Sequence, residues 1–199
     1  MDDETYVPVD PSQVPGVEYY SIVPGHTIRD EDKVQQKSKF PAKYLVWQAI
    51  SEDGDISEAY ITKGTLNQEN YLNECIKKRL LPFLEKKNNK GKILFWPDLA
   101  TSHYAASVTS FLKRKGIEFV PKSINPPNVP QNRPIEKFWA LCKSRYKRRK
   151  NPPKSLRGFK QIWSNISKQI AAESGKNLFE RYRSKLVETY TNGPLSENL

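Results

Sequence analysis

The sequence predicts an α/β fold: a mixed five-stranded sheet flanked by helices, with a helical extension at the C-terminal end. Three observations lead there. Two β-rich runs, Tyr44–Ile50 and Ile56–Thr62, flank Glu52-Asp53-Gly54-Asp55. An Asp-Gly pair between such runs signals a hairpin, because glycine takes the positive φ that tight turns need. Two short strand-like segments, the apolar run Ile93–Trp96 and Ile117–Val120, then alternate with helical patterns. An antiparallel meander followed by strand–helix–strand units implies a mixed sheet with helices on its faces.

Taken in order, Glu4–Val7 reads as a first strand with carboxylates at its start, and the polar, proline-dotted stretch Asp10–Pro41 as loop. After the hairpin comes a helix that Thr65 or Asn67 can cap, with Gln68 completing a capping box if Thr65 is the cap. Its apolar stripe is Leu72, Cys75, Ile76, Leu80, Phe83 and Leu84, and Pro82 is expected to kink it. Lys86–Lys92 is a basic turn. Ile93–Trp96 is apolar throughout, the pattern of a strand buried on both faces. Ala105–Lys115 forms a helix with Val108, Phe111 and Leu112 inward, stopped by Gly116. Asn125–Pro134 is a loop leading to Pro134 at a first helical position. Ile135, Phe138, Trp139, Cys142 and Tyr146 form the buried side of that helix. Pro152-Pro153 breaks the chain, and two amphipathic helices follow, Leu156–Ala172 and Lys176–Tyr190.

The 199 residues suit one domain, and 37% hydrophobic content is enough for a core. The formal net charge of +11 points to a polyanionic partner. Cys75 and Cys142 are too few for a disulfide framework or a zinc set, and buried free thiols in a reducing compartment fit. No apolar run reaches membrane-spanning length, and no signal-peptide pattern opens the chain.

Three acids stand out by position. Asp3 sits at the start of the first strand, Asp98 ends the apolar strand, and Glu136 lies in the first turn of the helix after Pro134. Sheets of this kind place sites at strand ends. A carboxylate in a helix's first turn is favoured by the helix dipole. Converging carboxylates raise one another's pKa, and a divalent cation removes that conflict.

Around these acids stand Asp3-Glu4-Thr5-Tyr6, then Trp96-Pro97-Asp98-Leu99-Ala100-Thr101-Ser102-His103-Tyr104-Ala105, then Asn132-Arg133-Pro134-Ile135-Glu136-Lys137-Phe138-Trp139. These resemble the three signature blocks of mariner-type DDE transposases. The blocks come in that family's order, and 37 residues lie between Asp98 and Glu136. Leu99 departs from the pattern, standing where the family has Asn. The resemblance implies an RNase H-like catalytic domain over residues 1–150, with 151–199 as a helical extension of the same domain. The family's N-terminal helix-turn-helix region is expected to be lacking. The resemblance further implies Asp3, rather than Asp2, as first ligand, with Asp98 and Glu136 completing a site for two Mg2+ or Mn2+ ions. Glu4, on the opposite strand face, is expected outside that site. The reaction implied is hydrolysis at a transposon end, followed by attack of the freed 3′-hydroxyl on target DNA. The implied partners are double-stranded DNA and a second copy in a homodimer, in the nucleus, with no membrane.

Residues expected to meet DNA are His103, Arg133, Lys137, Lys143, Arg145, Lys147, Arg148, Arg149 and Lys150. Most of these extend the helix that carries Glu136, and their grip on phosphates would be salt-sensitive and sequence-blind. His103 could instead steady the loop after Asp98. His26 is read as surface, and Trp96 and Trp139 as core. Two alternatives stand beside the active transposase: a remnant that binds DNA or a protein without catalysis, and another RNase H-like nuclease.

Overall fold

A computed structural model describes residues 1–16, 38–87, 93–127 and 132–193. His26 and most of the segment expected as loop before Pro41 lie outside the described residues, as do 88–92, 128–131 and 194–199. The strands are β1 (Asp2–Pro8), β2 (Lys43–Ala49), β3 (Tyr60–Thr62), β4 (Leu94–Phe95) and β5 (Glu118–Phe119). The helices are α1 (68–85), α2 (Ala106–Arg114), α3 (Pro134–Lys147), α4 (Leu156–Ser174) and α5 (Tyr182–Asn192).

The expected five-stranded sheet is two sheets among the described residues: an antiparallel β1-β2-β3 and a parallel β4-β5 pair. They meet where Asp2 N donates to Trp96 O at 3.3 Å. The ladder stops there because Pro97 follows Trp96 and has no N–H to continue it. Leu94 is 60% exposed, so β4 is not buried on both faces as expected. The hairpin turn forms around Gly54, whose φ of +86° is the glycine-favoured conformation. The strand expected from Ile56 begins instead at Tyr60. Ser57 interrupts the ladder, accepting from Ala49 N through its hydroxyl and donating to Ala49 O through its own N–H, both at 2.8 Å.

Asn67, not Thr65, caps α1, its side-chain oxygen accepting from Asn70 N at 2.8 Å. The middle of α1, Tyr71–Leu80, is wound as a π-helix, and Leu81 N reaches back to Ile76 O. The irregularity expected at Pro82 takes this form. A proline ring crowds the carbonyl four residues back, and wider winding gives that carbonyl room. Wider winding also turns the buried face, so Tyr71 joins Cys75, Ile76 and Leu80 inside while Leu72, Phe83 and Leu84 are only partly buried.

Two cores lie on opposite faces of the main sheet, because neighbouring strand residues point opposite ways. On one face Val7, Tyr44, Val46 and Ile50 meet Ile135, Phe138, Trp139, Cys142 and Tyr146 of α3 and Phe159, Trp163, Ile166 and Ile170 of α4. On the other, Trp47 and Ala49 meet Tyr71, Cys75, Ile76 and Leu80 of α1 and Val108, Phe111 and Leu112 of α2. Burying each large apolar side chain contributes roughly 1.5–3 kcal/mol. Residues beyond 150 therefore share a core with the sheet. Both cysteines are buried free thiols. Trp139 is core, while Trp96 is half-buried and donates through Nε1 to Asn125 Oδ1 at 2.8 Å. Gly175 ends α4 against the hairpin: a Cβ there would lie 2.5 Å from Gly54 O. The chain leaves through a 3-10 turn, Lys176–Leu178, so the last helix starts at Tyr182 rather than Lys176. No helix among the described residues is long and apolar enough to cross a membrane.

Candidate active site

The antiparallel register sets Asp3 opposite Gln48, near the hairpin end of β2, while β4 delivers Asp98 to the adjoining edge of β1. Asp98 N donates to Asp2 Oδ1 at 3.3 Å, and one Asp98 oxygen accepts from Ala100 N at 3.2 Å. The third block starts α3 at Pro134, and Glu136 stands exposed in its first turn. Asp3, by contrast, is 7% exposed. Burial pushes its pKa up to about 8; the carboxylates of Asp98 and Glu136 add to this, while Arg133 and the Glu4 N–H oppose it. Groups far apart in the chain thus act on one carboxyl.

One carboxylate oxygen each from Asp3, Glu4 and Asp98 lie within 4.8 Å of one another. Strand alternation alone had set Glu4 apart. The Asp3 carboxylate accepts from the next residue's N–H, Glu4 N, at 2.7 Å, and both acids reach toward the edge where Asp98 sits. Glu136 is not in this close trio. An all-oxygen donor set that includes a buried carboxyl is chemistry suited to a hard divalent cation.

Asp2 is the residue that sequence reasoning missed. It is fully buried, and its carboxylate accepts from Trp47 Nε1 at 2.8 Å and Tyr71 OH at 2.7 Å, as well as from Asp98 N. A buried carboxylate is tolerable only with such donors. The available signal was the alternation itself, which turns Asp2 toward the face where Trp47 lies.

The cationic residues divide by placement. His103 is 1% exposed; its ring stacks on Tyr71 at 3.8 Å and Nε2 meets Glu4 Oε1 at 3.0 Å. Burial lowers its pKa, but Asp2, Glu4 and Asp98 outweigh that and hold it above the ordinary value. It steadies the loop after Asp98 from inside. Arg133 is also buried: Nη2 donates to Asp2 O at 2.7 Å and lies 3.9 Å from Asp98 Oδ1. Lys143 is half-buried; burial lowers its pKa, against the opposing pull of the Glu136 and Asp3 charges. Arg145 is engaged by both carboxylate oxygens of Glu173, at 2.7 and 3.2 Å, and Lys147 donates to Gly16 O at 3.2 Å. Lys137, Arg148, Arg149 and Lys150 are exposed.

No protein-family model matches the sequence, and no curated protein matches it. Solved structures do. The Mos1 transposase paired-end complex with left transposon end superposes with a TM-score of 0.69 at 19% identity, over 98% of this chain and 54% of that one. The Mos1 mariner paired-end complex with Mn gives 0.75 at 16% identity, over 99% and 56%. The Mos1 mariner transposase catalytic domain gives 0.56 at 19%, over 77% and 72%. The fold is that of a mariner-type transposase catalytic domain. The chain spans about half the length of the Mos1 transposase chains in the paired-end complexes.

Proposed function

We propose that this chain is the catalytic domain of a DNA transposase, an endonuclease and strand transferase using two divalent cations at transposon ends. The observation that carries this reading is the pairing of a buried Asp3 with Asp98, carboxylate oxygens of the two lying within 4.8 Å of one another. Asp3, Asp98 and Glu136 would hold the Mg2+ or Mn2+ ions. When bound, such a pair lowers the barrier to oxygen attack on phosphorus and stabilises the departing oxygen. The protein's own part is placement. Ala100 N holds one oxygen of Asp98, Asp2 anchors its backbone, and the start of α3 favours the negative charge on Glu136. Water attacks a phosphodiester at the transposon end and releases a 3′-hydroxyl, which then attacks target DNA without a covalent enzyme intermediate.

Lys137 and Lys143 lie on α3, and the exposed Arg148, Arg149 and Lys150 follow its end at Lys147 rather than extending it; together they offer a track for the phosphates of duplex DNA. A homodimer bridging two DNA ends, working in the nucleus, completes the reading. A second reading, a remnant that binds DNA without cutting it, draws support from Glu136 standing outside the close trio.

Two assays separate them. The folded protein is expected to nick supercoiled plasmid in Mn2+ or Mg2+ and not in EDTA; no cleavage with either metal would overturn the enzyme reading. In duplex binding, the triple variant R148A/R149A/K150A is expected to flatten the log–log salt slope by about 2–3. An unchanged slope would remove these residues from the DNA track.

A further inference from the structure

We infer that Arg133 is a positioning residue, a built-in counter-cation that holds Asp98 to β1 before metal arrives and weakens the site's grip on a free divalent ion. The inference rests on the metal-dependent reading above and adds to it a reason why metal and DNA would be taken up together.

Arg133 precedes α3, and its side chain is turned into the protein rather than out to solvent, 9% exposed. Its Nη2 donates to the Asp2 carbonyl oxygen at 2.7 Å and sits 3.9 Å from Asp98 Oδ1. Asp2 in turn accepts from Asp98 N at 3.3 Å. Asp98 is thus held at its backbone by the Asp2 carboxylate and faced at its side chain by a guanidinium tied to the same residue's carbonyl. This arrangement needs no metal.

A guanidinium keeps its charge at any accessible pH. Arg133 therefore cannot withdraw by losing a proton when a divalent cation approaches Asp98. Two positive groups must then share one carboxylate, and the fixed one raises the cost of binding the other. The Nε of Arg133 is buried without a hydrogen-bond partner among the described residues. Such a donor is costly to leave unpaired and lies too deep for a phosphate oxygen to reach, but a DNA phosphate at the carboxylates would bring a negative charge beside the guanidinium. DNA arriving at the site would relieve the repulsion that Arg133 exerts on the metal. The free protein is then a weak metal binder, and the DNA complex a stronger one.

The test is Mn2+ binding to the DNA-free protein, followed by the electron paramagnetic resonance of the free ion, in wild type, R133Q, R133K and D98N. Arg133→Gln is expected to bind Mn2+ about 3- to 10-fold more tightly than wild type, although its metal-free melting temperature falls. Arg133→Lys keeps the charge and is expected to stay within about twofold of wild type. A purely structural role would move both variants in the same direction, toward weaker binding. Mn2+ binding by R133Q that is equal to or weaker than wild type, while D98N loses it, overturns the counter-cation role and leaves the metal reading intact. Absence of Mn2+ binding in wild type and in R133Q alike overturns both. Should R133Q fail to fold, tightened binding in R133K would overturn the role by itself.

Discussion

Asp98→Asn is expected to reduce metal-dependent nicking by at least about a thousandfold while the protein stays folded. The amide has the size of the carboxylate and can still accept from Ala100 N, so the turn that Asp98 makes at 3.2 Å survives. What disappears is the negative charge on an oxygen shared between Arg133 and any bound ion. Metal ions contribute several kcal/mol of transition-state stabilisation, and each 1.36 kcal/mol is a factor of ten in rate. The comparison is plasmid nicking in Mn2+ alongside circular dichroism of both proteins. Cleavage by the variant within tenfold of wild type, with an unchanged spectrum, would remove Asp98 from the site.

The second large effect concerns stability and has a definite dependence on pH. Burial, reinforced by Asp98 and Glu136, holds the Asp3 carboxyl near a pKa of about 8 in the folded, metal-free protein, against an ordinary 3.8. Below pH 4 the acid is protonated in both folded and unfolded chains and costs nothing. As pH rises, the unfolded chain releases its proton first, so stability falls until the folded acid also ionises above about 8. Asp3→Asn carries no such penalty. In EDTA the variant is therefore expected to melt at about the wild-type temperature near pH 4 and progressively higher toward pH 8.5. Each pKa unit is about 1.4 kcal/mol, so even a third of the shift, roughly 2 kcal/mol, raises the melting temperature by about 4–8 °C for a chain of this size. With Mn2+ the order reverses, because only the wild type gains stability by binding the ion. Parallel melting curves across pH, with no response to Mn2+, would contradict the assignment of Asp3.

How much of this was legible in the sequence depends on how local each cause is. Gly54 and Pro134 announced a turn and a helix start because their backbone preferences are intrinsic. Helices on the sheet's faces were expected from the order of elements; the division into two cores, with Val46 and Trp47 on opposite sides of β2, was not read from this almost wholly apolar run. The face of α1 was misjudged because π winding replaces a 3.6-residue period, which brings Tyr71 inside. Leu94 reads as core by composition, yet its exposure depends on what packs over β4. In the site, Asp3, Asp98 and Glu136 were picked out by the blocks around them. Asp2 was not, since its partners Trp47 and Tyr71 arrive from other elements. Arg133 was read by the sign of its charge, which says nothing of whether the side chain turns toward solvent or toward Asp98.

The relation between Glu136 and the other two acids is the point on which the catalytic reading turns. Electrostatics couple it to Asp3, yet its carboxylate stands at the exposed rim, outside the trio formed with Glu4. Anomalous scattering from crystals of this chain soaked in Mn2+ decides the matter. Manganese peaks contacting Asp3 and Asp98, with the Glu136 carboxylate swung in to meet them, are the predicted result. Crystals without a peak among these acids, or with the metal held by other side chains, would contradict it.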